Sequence, residues 1–332
     1  MDISFYQIIC FGLVAVAFGI FLVLDGCDIG TGMLLPLFRK PGDHDQLMAA
    51  LAPFWDGNEV WIIIAGGSLY AMFPSVFAAA LSAFYLPVFL LAIGLMARAA
   101  SFEFRHQFSN HKKIWDMVFH AASVVIGAIL AVALGNIAGG LQLDNAGNFH
   151  GSFFDLFGFL PIVTLLTGIA LLSVQGVSMI ASRTTGEVRG HALRIGAMAG
   201  GLYLLALAIF FVALLGVVHE PMNHLWTIVP VILAIGAATR WVSDVRKKKP
   251  KHLLLLSSIS VAGAWTATAG LLFPVFIAVP NGIDLTAFSS SSELKTLQIA
   301  APIAAIGFCL IAVMTAVVYR IFKGTVKPGD TY

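Results

Sequence analysis

The chain has 332 residues, of which 59% are hydrophobic and only 11% are charged. A soluble domain carries about 25% charged residues, so this chain has too few charges to cover a surface exposed to water. The formal net charge of +2 does not indicate nucleic-acid binding, and we expect no nucleic-acid partner. The composition predicts an all-α integral membrane protein whose surface faces lipid.

Apolar segments long enough to cross the hydrocarbon core recur along the whole chain. A spanning helix needs about 20 mostly apolar residues. Such segments lie near residues 5–24, 54–72, 75–97, 117–138, 154–180, 197–218, 224–241, 253–277 and 298–322. They predict a single transmembrane domain over residues 1–332, built as a bundle of about nine helices.

The second and third predicted spans are joined by a tight turn at Pro74. Proline is favourable at the first position of a helix, because its missing N–H would have no partner there. We therefore expect residues 54–97 to form a helical hairpin. The second span is the least regular, since Asp56, Asn58 and Glu59 lie at its start.

The distribution of Lys and Arg predicts the orientation of the bundle. If all nine segments cross, every one of the 19 Lys and Arg residues except Lys295 falls on one side. Cytoplasmic loops carry the excess of Lys and Arg, so we expect the N-terminus outside and the C-terminus in the cytoplasm. Removing one span would break this alternation. The basic run 246–251 is expected to lie near anionic lipid.

Acidic residues cluster at the ends of the first two predicted spans, on the basic side. Asp25 and Asp28 follow the first span, and Asp56 and Glu59 begin the second. The two helix ends are neighbours and antiparallel, so the two pairs can meet in space. Partial burial favours the protonated form of a carboxyl group, which suits proton uptake from the cytoplasm. Alternatively, these residues are ordinary caps in wet surroundings.

A second polar group follows the third predicted span and contains Arg98, Ser101, Glu103, Phe104 and Arg105. The simpler interpretation is an ion-paired cap on the cytoplasmic side. These residues would otherwise line the mouth of the same uptake route.

Cofactor ligands are not arranged for binding. Haem in a membrane needs axial His or Met ligands projecting from the spans, yet only His120 lies inside a predicted span. The remaining histidines lie in loops or at their edges: His44, His106, His111, His150, His191, His219, His224 and His252. We therefore predict that this chain ligates no haem, and that no His/Cys cluster has the spacing for copper or zinc.

Several motifs resemble subunit II of the cytochrome bd-type quinol oxidases, including the cyanide-insensitive branch. They are LDGCDIGTGMLLP, APFWDGNEVWIIIAGGSLYAMFP, SAFYLP and SFEFR in this order, followed by ALGNIAGG, QGVSMIASRTTGEV and LLFPVFIAVP. The resemblance covers essentially the whole chain. One departure is Cys27, where an aromatic residue is common in the family, and some members carry Gln where this chain has Glu59.

The resemblance implies a subunit of a terminal respiratory oxidase in the bacterial inner membrane. Such an enzyme takes electrons from quinol, either ubiquinol or menaquinol, reduces dioxygen to water and generates proton motive force. Haem b and haem d would lie in the partner, subunit I. This chain would be its haem-free partner in a heterodimer, supporting assembly and proton uptake, and a small single-helix accessory subunit can join the pair.

The resemblance also suggests roles for single residues. By position in the motif, Asp56 matches the aspartate associated with the proton path, and Asp25 lies near its mouth. Trp55, Asn58 and Trp61 belong to the motif expected near the partner's haems. No catalytic residue is expected in this chain itself.

Two other functions remain open on the residues alone. A secondary transporter could use carboxylates at the membrane edge for proton coupling, although such proteins typically bind substrate at broken helices near mid-membrane. A purely structural scaffold would tolerate neutral substitution of all the acidic residues, Asp25, Asp28, Asp56 and Glu59.

Overall fold

The computed structural model describes residues 3–40, 42–144, 146–217, 225–280 and 282–330, and His219 and His224 lie outside these ranges. The helices are α1 Ile3–Leu34, α2 Asp43–Leu51, α3 Trp55–Met72, α4 Pro74–Ala83, α5 Tyr85–Gln107, α6 Lys112–Gly139, α7 Phe159–Arg183, α8 Gly186–Leu215, α9 Leu225–Arg246, α10 Leu253–Leu272 and α11 Leu294–Ile321. A small antiparallel pair joins β1 Val275–Ile277 to β2 Leu285–Thr286.

Eight helices in the described residues are long and apolar enough to cross a membrane. Helices α3 and α4 together supply a ninth span if the pair is counted as one, although the two are bent by 119°. The predicted class, an all-α membrane bundle of about nine spans, is therefore confirmed.

Helix α1 lies at the centre of the bundle and packs against α3, α6, α7, α10 and α11. Its crossing with α7 is unusually close. A Cβ atom added at Gly30 would lie 1.9 Å from the Leu172 carbonyl oxygen, and one at Gly176 would lie 2.3 Å from the Gly30 carbonyl carbon. Small residues allow such backbone contact between membrane helices, and they hold the polar part of α1 inside the protein.

The third predicted span, 75–97, is wrong in position. The helix that starts at Pro74, as expected for the proline, ends at Ala83, and the spanning helix begins only at Tyr85. Hydropathy does not reveal the break, because the residues around it are apolar. Pro87 lies in the first turn of α5, where proline is tolerated. The expected hairpin over 54–97 is thus a broken span followed by a separate helix.

The segment after the first predicted span is also helical rather than a loop. Helix α1 continues ten residues beyond residue 24, through Asp25, Gly26 and Asp28, to Leu34. Glycine and aspartate are poor helix formers, which is why the sequence suggested an end at residue 24. Contact with α7 buries this part of α1, and tertiary packing therefore overrides the local preference.

Smaller differences affect three other spans. Helix α7 starts at Phe159 rather than 154, and α10 ends at Leu272 because residues 275–277 form a strand. Helix α8 begins at Gly186, before the apolar segment predicted from 197. The predicted boundaries at residues 218 and 224 lie outside the described residues.

The connections between helices lie at two ends of the bundle. At the end that we call the basic end, the Gln46 side chain donates to the Val326 carbonyl at 2.8 Å, linking α2 to the chain after α11. At the opposite end, the Ser292 amide donates to the Met72 carbonyl at 2.9 Å. Lys295 lies in the first turn of α11, at this opposite end.

Candidate functional site: a buried acidic cluster

The site is built around two aspartates inside α1. Asp25 and Asp28 are three residues apart, so they share a helix face. Both side chains are fully buried, with 0% of their surface exposed. Asp28 lies six residues before the end of α1, about 9 Å at 1.5 Å per residue. Both carboxyl groups therefore lie within the span, close to the basic end.

Arg98 joins three helices at this site. Its Nη2 donates to Asp25 Oδ1 of α1 at 2.6 Å and to Glu59 Oε1 of α3 at 2.5 Å, and its Nε donates to the same Glu59 oxygen at 2.8 Å. The arginine is fully buried, in α5. It was expected in a loop beyond the third span together with Ser101, and the extended α5 places both inside the protein instead.

Asn58 connects the other aspartate to α11. Its Nδ2 donates to Asp28 Oδ2 at 2.7 Å and lies 3.3 Å from the Tyr319 hydroxyl. The same hydroxyl lies 3.4 Å from Asn58 Oδ1. The polar motifs of the first and second predicted spans therefore do meet in space.

The cluster contains more acidic groups than cations. Asp25 and Glu59 bind the guanidinium of Arg98, while Asp28 accepts from the neutral amide of Asn58. Asp25 Oδ2 and Asp28 Oδ1 are buried and accept no hydrogen bond from the described residues. Each of these oxygens is therefore free to bind a proton or a water molecule.

Asp56 does not join this cluster. It lies in the first turn of α3, where its side chain is exposed, while Glu59 one turn later faces Arg98 with only 15% of its side chain exposed. The i, i+3 spacing alone suggested that the two acids share a face. The structure places Asp56 on the outer surface of the chain instead.

The two tryptophans of the motif fill the core of this chain. Trp55 stacks on Phe102 with ring centroids 5.0 Å apart, and Trp61 contacts Phe308 edge to face at 5.9 Å. Trp61 is only 1% exposed. Their rings pack within the chain, and a location near a partner's haems stays a prediction.

Tyr319 was missed by sequence reasoning. A tyrosine near the end of an apolar span normally indicates an anchor at the membrane interface, and nothing in the pattern of α11 pointed to Asn58. Only the packing of α11 against α1 and α3 brings its hydroxyl to the cluster.

A second ionic network ties α2 to the ends of α5 and α6. Arg105 donates from Nε to Asp116 at 2.6 Å and from Nη1 to Asp45 at 2.9 Å, and Lys112 also donates to Asp45 at 2.9 Å. The expected ion-paired cap at this end of the third span is therefore present. It involves Arg105 rather than Arg98.

His44 completes this network. Its Nδ1 lies 2.8 Å from Asp116 Oδ2 and its Nε2 lies 2.7 Å from the Phe38 carbonyl oxygen. Both neighbours are acceptors, so both ring nitrogens donate when the imidazole is protonated. The hydrogen bond to Asp116 accordingly raises the pKa of His44 above its usual value.

This arrangement predicts a pH dependence of stability. A group whose pKa is higher in the folded state stabilises the fold fully below its unfolded value, and the contribution is lost as pH rises through the folded pKa. We expect His44→Asn to lower the free energy of unfolding by roughly 1–2 kcal/mol at acidic pH and by less at alkaline pH. Thermal unfolding at both pH values measures this. In an Asp116→Asn background the difference between the two pH values should become smaller, because the Phe38 carbonyl is then the remaining group named here that favours the protonated ring. An unchanged difference would assign the pH dependence to another group.

No group of three or more His, Cys, Asp or Glu residues in the described part of the chain is placed to hold a metal ion.

The fold and the cluster define a multi-pass helical membrane protein with an ion-paired, acid-rich site buried inside its spans. Residues 6–322 match the family described as cytochrome bd terminal oxidase subunit II. The chain belongs to this family, and is accordingly a terminal oxidase subunit of the bacterial inner membrane.

Curated relatives extend over nearly the whole chain. Cytochrome bd ubiquinol oxidase subunit 2 of Bacillus subtilis (strain 168) is 29% identical, with 88% of this chain and 89% of that protein covered. Cytochrome bd-I ubiquinol oxidase subunit 2 of Escherichia coli (strain K12) is 28% identical, with 99% and 97% covered.

A solved structure shares the fold. A chain of the bd oxidase from Geobacillus thermodenitrificans matches with a TM-score of 0.79, covering 96% of this chain and 98% of that one. Its identity is 15%, so this likeness concerns the fold alone.

Proposed function

We propose that this chain is the haem-free subunit II of an electrogenic quinol oxidase, in which electrons from quinol reduce dioxygen to water. Family membership and the names of the relatives support this assignment. Haem b and haem d belong to the partner, subunit I. This chain supports the assembly of that subunit and contributes to proton uptake, and it is not catalytic alone.

The basic end is the cytoplasmic end in this proposal, with the N-terminus outside. The excess of Lys and Arg at that end supports the orientation. The buried cluster then lies in the cytoplasmic half of the membrane, where protons for dioxygen reduction enter. The basic run 246–251 contacts anionic lipid headgroups, each Lys or Arg near such a surface contributing about 1 kcal/mol.

One observation carries the proton-uptake role: two carboxyl groups, Asp25 and Glu59, bind one guanidinium inside the bundle, and a third, Asp28, lies beside them on the same helix as Asp25. Asp25 Oδ2 and Asp28 Oδ1 are buried and have no protein donor among the described residues. Charge within a membrane is unfavourable, so protonating one carboxyl relieves the excess. The cluster can therefore hold a proton and release it. Each charge moved across about 100 mV stores roughly 2.3 kcal/mol.

The outer face of α3 is the docking face for subunit I in this proposal. Asp56, Ile63 and Tyr70 are exposed along one side of the helix. Cβ atoms added at Gly57 and Gly67 would meet nothing within 4 Å, so another helix could approach closely. A carboxylate on a face that touched only lipid would be costly. The remaining apolar faces are left for lipid and for a small single-helix accessory subunit.

Asp56 then relays protons at the subunit interface. We expect Asp56→Asn to slow quinol-driven oxygen consumption by roughly tenfold or more, since a positioned proton-transfer group typically contributes at least that much. The haems should still assemble. The oxygen electrode measures turnover, and a reduced-minus-oxidised spectrum of the complex purified through this chain measures haem content.

Glu103→Gln is the matched control, because Glu103 is an exposed acid on α5 that makes no contact with the cluster. It should leave turnover unchanged. Parental turnover in Asp56→Asn would refute the relay. A colourless chain that purifies without a haem-bearing partner would favour a transporter, and full tolerance of neutral substitutions at all the acidic positions would favour a scaffold.

A further inference from the structure

The segment that follows α11, residues 322–330, is folded back across the basic end, and we call it the tail. The Val326 amide donates to the Arg183 carbonyl at 2.7 Å, and Val326 pairs with Thr184 in a short parallel bridge. Gln46, only 2% exposed, donates to the Val326 carbonyl. The tail is thus fixed both to the junction between α7 and α8 and to α2.

The side chain of Arg183 binds the backbone of the tail. Its Nη1 donates to the carbonyl oxygens of Phe322 and Gly324. Its guanidinium carbon lies 4.6 Å from the centroid of the Phe54 ring and 5.8 Å from that of Tyr319. Among the described residues no carboxylate lies within ion-pair distance of Arg183. This buried cation is held by carbonyl groups and aromatic faces, an arrangement that suits a planar guanidinium.

These contacts lead directly to the buried cluster. The rings of Phe54 and Tyr319 lie against each other with centroids 4.5 Å apart. The Tyr319 hydroxyl contacts Asn58, and Asn58 donates to Asp28. A continuous series of contacts therefore runs from the tail through Arg183, Tyr319 and Asn58 to Asp28.

We infer that the tail, acting through Arg183, positions Tyr319 as the closure of the buried cluster at the basic end. Arg183 and Tyr319 are positioning residues in this arrangement. Releasing the tail moves the carbonyl groups of Phe322 and Gly324 away from Arg183, so that the guanidinium no longer holds the Tyr319 ring in place, and it exposes Asp28 and its neighbours to water. This inference deepens the proposed function, on which it rests only for the statement that the cluster takes up protons.

The chain carries a natural reporter of this closure. Cys27 lies between the two aspartates in α1, is 2% exposed, and its thiol is close enough to Arg183 and Tyr319 for electrostatic interaction. A water-soluble maleimide reaches this thiol only when the closure opens, so the rate of labelling reports the population of the open form. This readout does not depend on oxygen consumption.

The experiment uses the purified complex with Cys10→Ala and Cys309→Ala, so that Cys27 is the remaining thiol of this chain. We expect labelling of Cys27, followed by mass spectrometry, to become roughly tenfold faster in Arg183→Gln and after deletion of residues 325–332. Arg183→Lys should restore part of the protection. Deletion of residues 330–332, which leaves Val326 in place, is the matched control and should label at the parental rate.

Intact haem spectra show that each variant is folded. If the longer deletion fails this check, Val326→Pro takes its place, because it removes the amide N–H that donates to the Arg183 carbonyl and keeps the tail at full length. Unchanged labelling in both Arg183→Gln and the tail variant would overturn the closure. Faster labelling in Arg183→Gln and the tail variant supports the closure whatever the turnover of Asp56→Asn. Parental turnover in Asp56→Asn would refute the proton relay alone, so the two proposals fail separately.

Discussion

Replacing Arg98 by methionine should lower the free energy of unfolding of the complex by about 3–5 kcal/mol, the usual effect of removing one partner of a buried ion pair. Arg98 is fully buried and is the cation that binds both Asp25 and Glu59. Methionine replaces the aliphatic stem of the arginine but leaves two carboxyl groups without their donor. Thermal or denaturant unfolding in mild detergent, followed by the haem spectrum, measures the loss.

Arg194→Met is the matched control, because Arg194 is exposed on α8 and surface substitutions usually change stability by less than about 0.5 kcal/mol. Adding Asp25→Asn and Glu59→Gln to Arg98→Met should recover much of the stability, since the unpaired charges are then gone. Equal stability of the two arginine variants would show that the carboxyl groups do not depend on Arg98.

Gly30→Ala should destabilise the protein by more than about 3 kcal/mol, beyond the usual range for overpacking. The new methyl group would lie 1.9 Å from the Leu172 carbonyl oxygen, and a backbone atom cannot rotate away as a side chain can. Helices α1 and α7 must then separate, and the polar stretch of α1 loses its cover. Unfolding measurements together with the yield of assembled complex would detect this.

Gly12→Ala in the same helix provides the comparison, because a Cβ atom there meets nothing within 4 Å. That substitution should be neutral or slightly stabilising, since alanine is the better helix former. If both variants behaved alike, the close crossing of α1 and α7 would not be required for stability.

Much of the candidate site could be foreseen from residue types and spacing. Asp25 and Asp28 are energetically costly inside an apolar helix, and Asn58 and Glu59 lie at the start of the next apolar segment. Because consecutive spans are antiparallel neighbours, these two helix ends were expected to meet. The ion-pair partner of Asp25 could not be predicted from the sequence. Arg98 was assigned to a loop because the helix break at Phe84 was not recognised. The residues around the break are apolar, so the hydropathy pattern does not change there, yet the break shifts the whole of α5 along the chain.

The sequence by itself determined the class of protein and the approximate number of spans, because lipid selects for apolar segments of sufficient length regardless of packing. The side of the membrane on which the basic residues lie stays a prediction. Only the tertiary structure decided that Glu59 faces Arg98 while Asp56 lies outside, and that Tyr319 and the tail reach the cluster. These contacts join residues far apart in the chain. They depend on how closely the helices approach, which at Gly30 and Gly176 is set by backbone contact that no local pattern encodes.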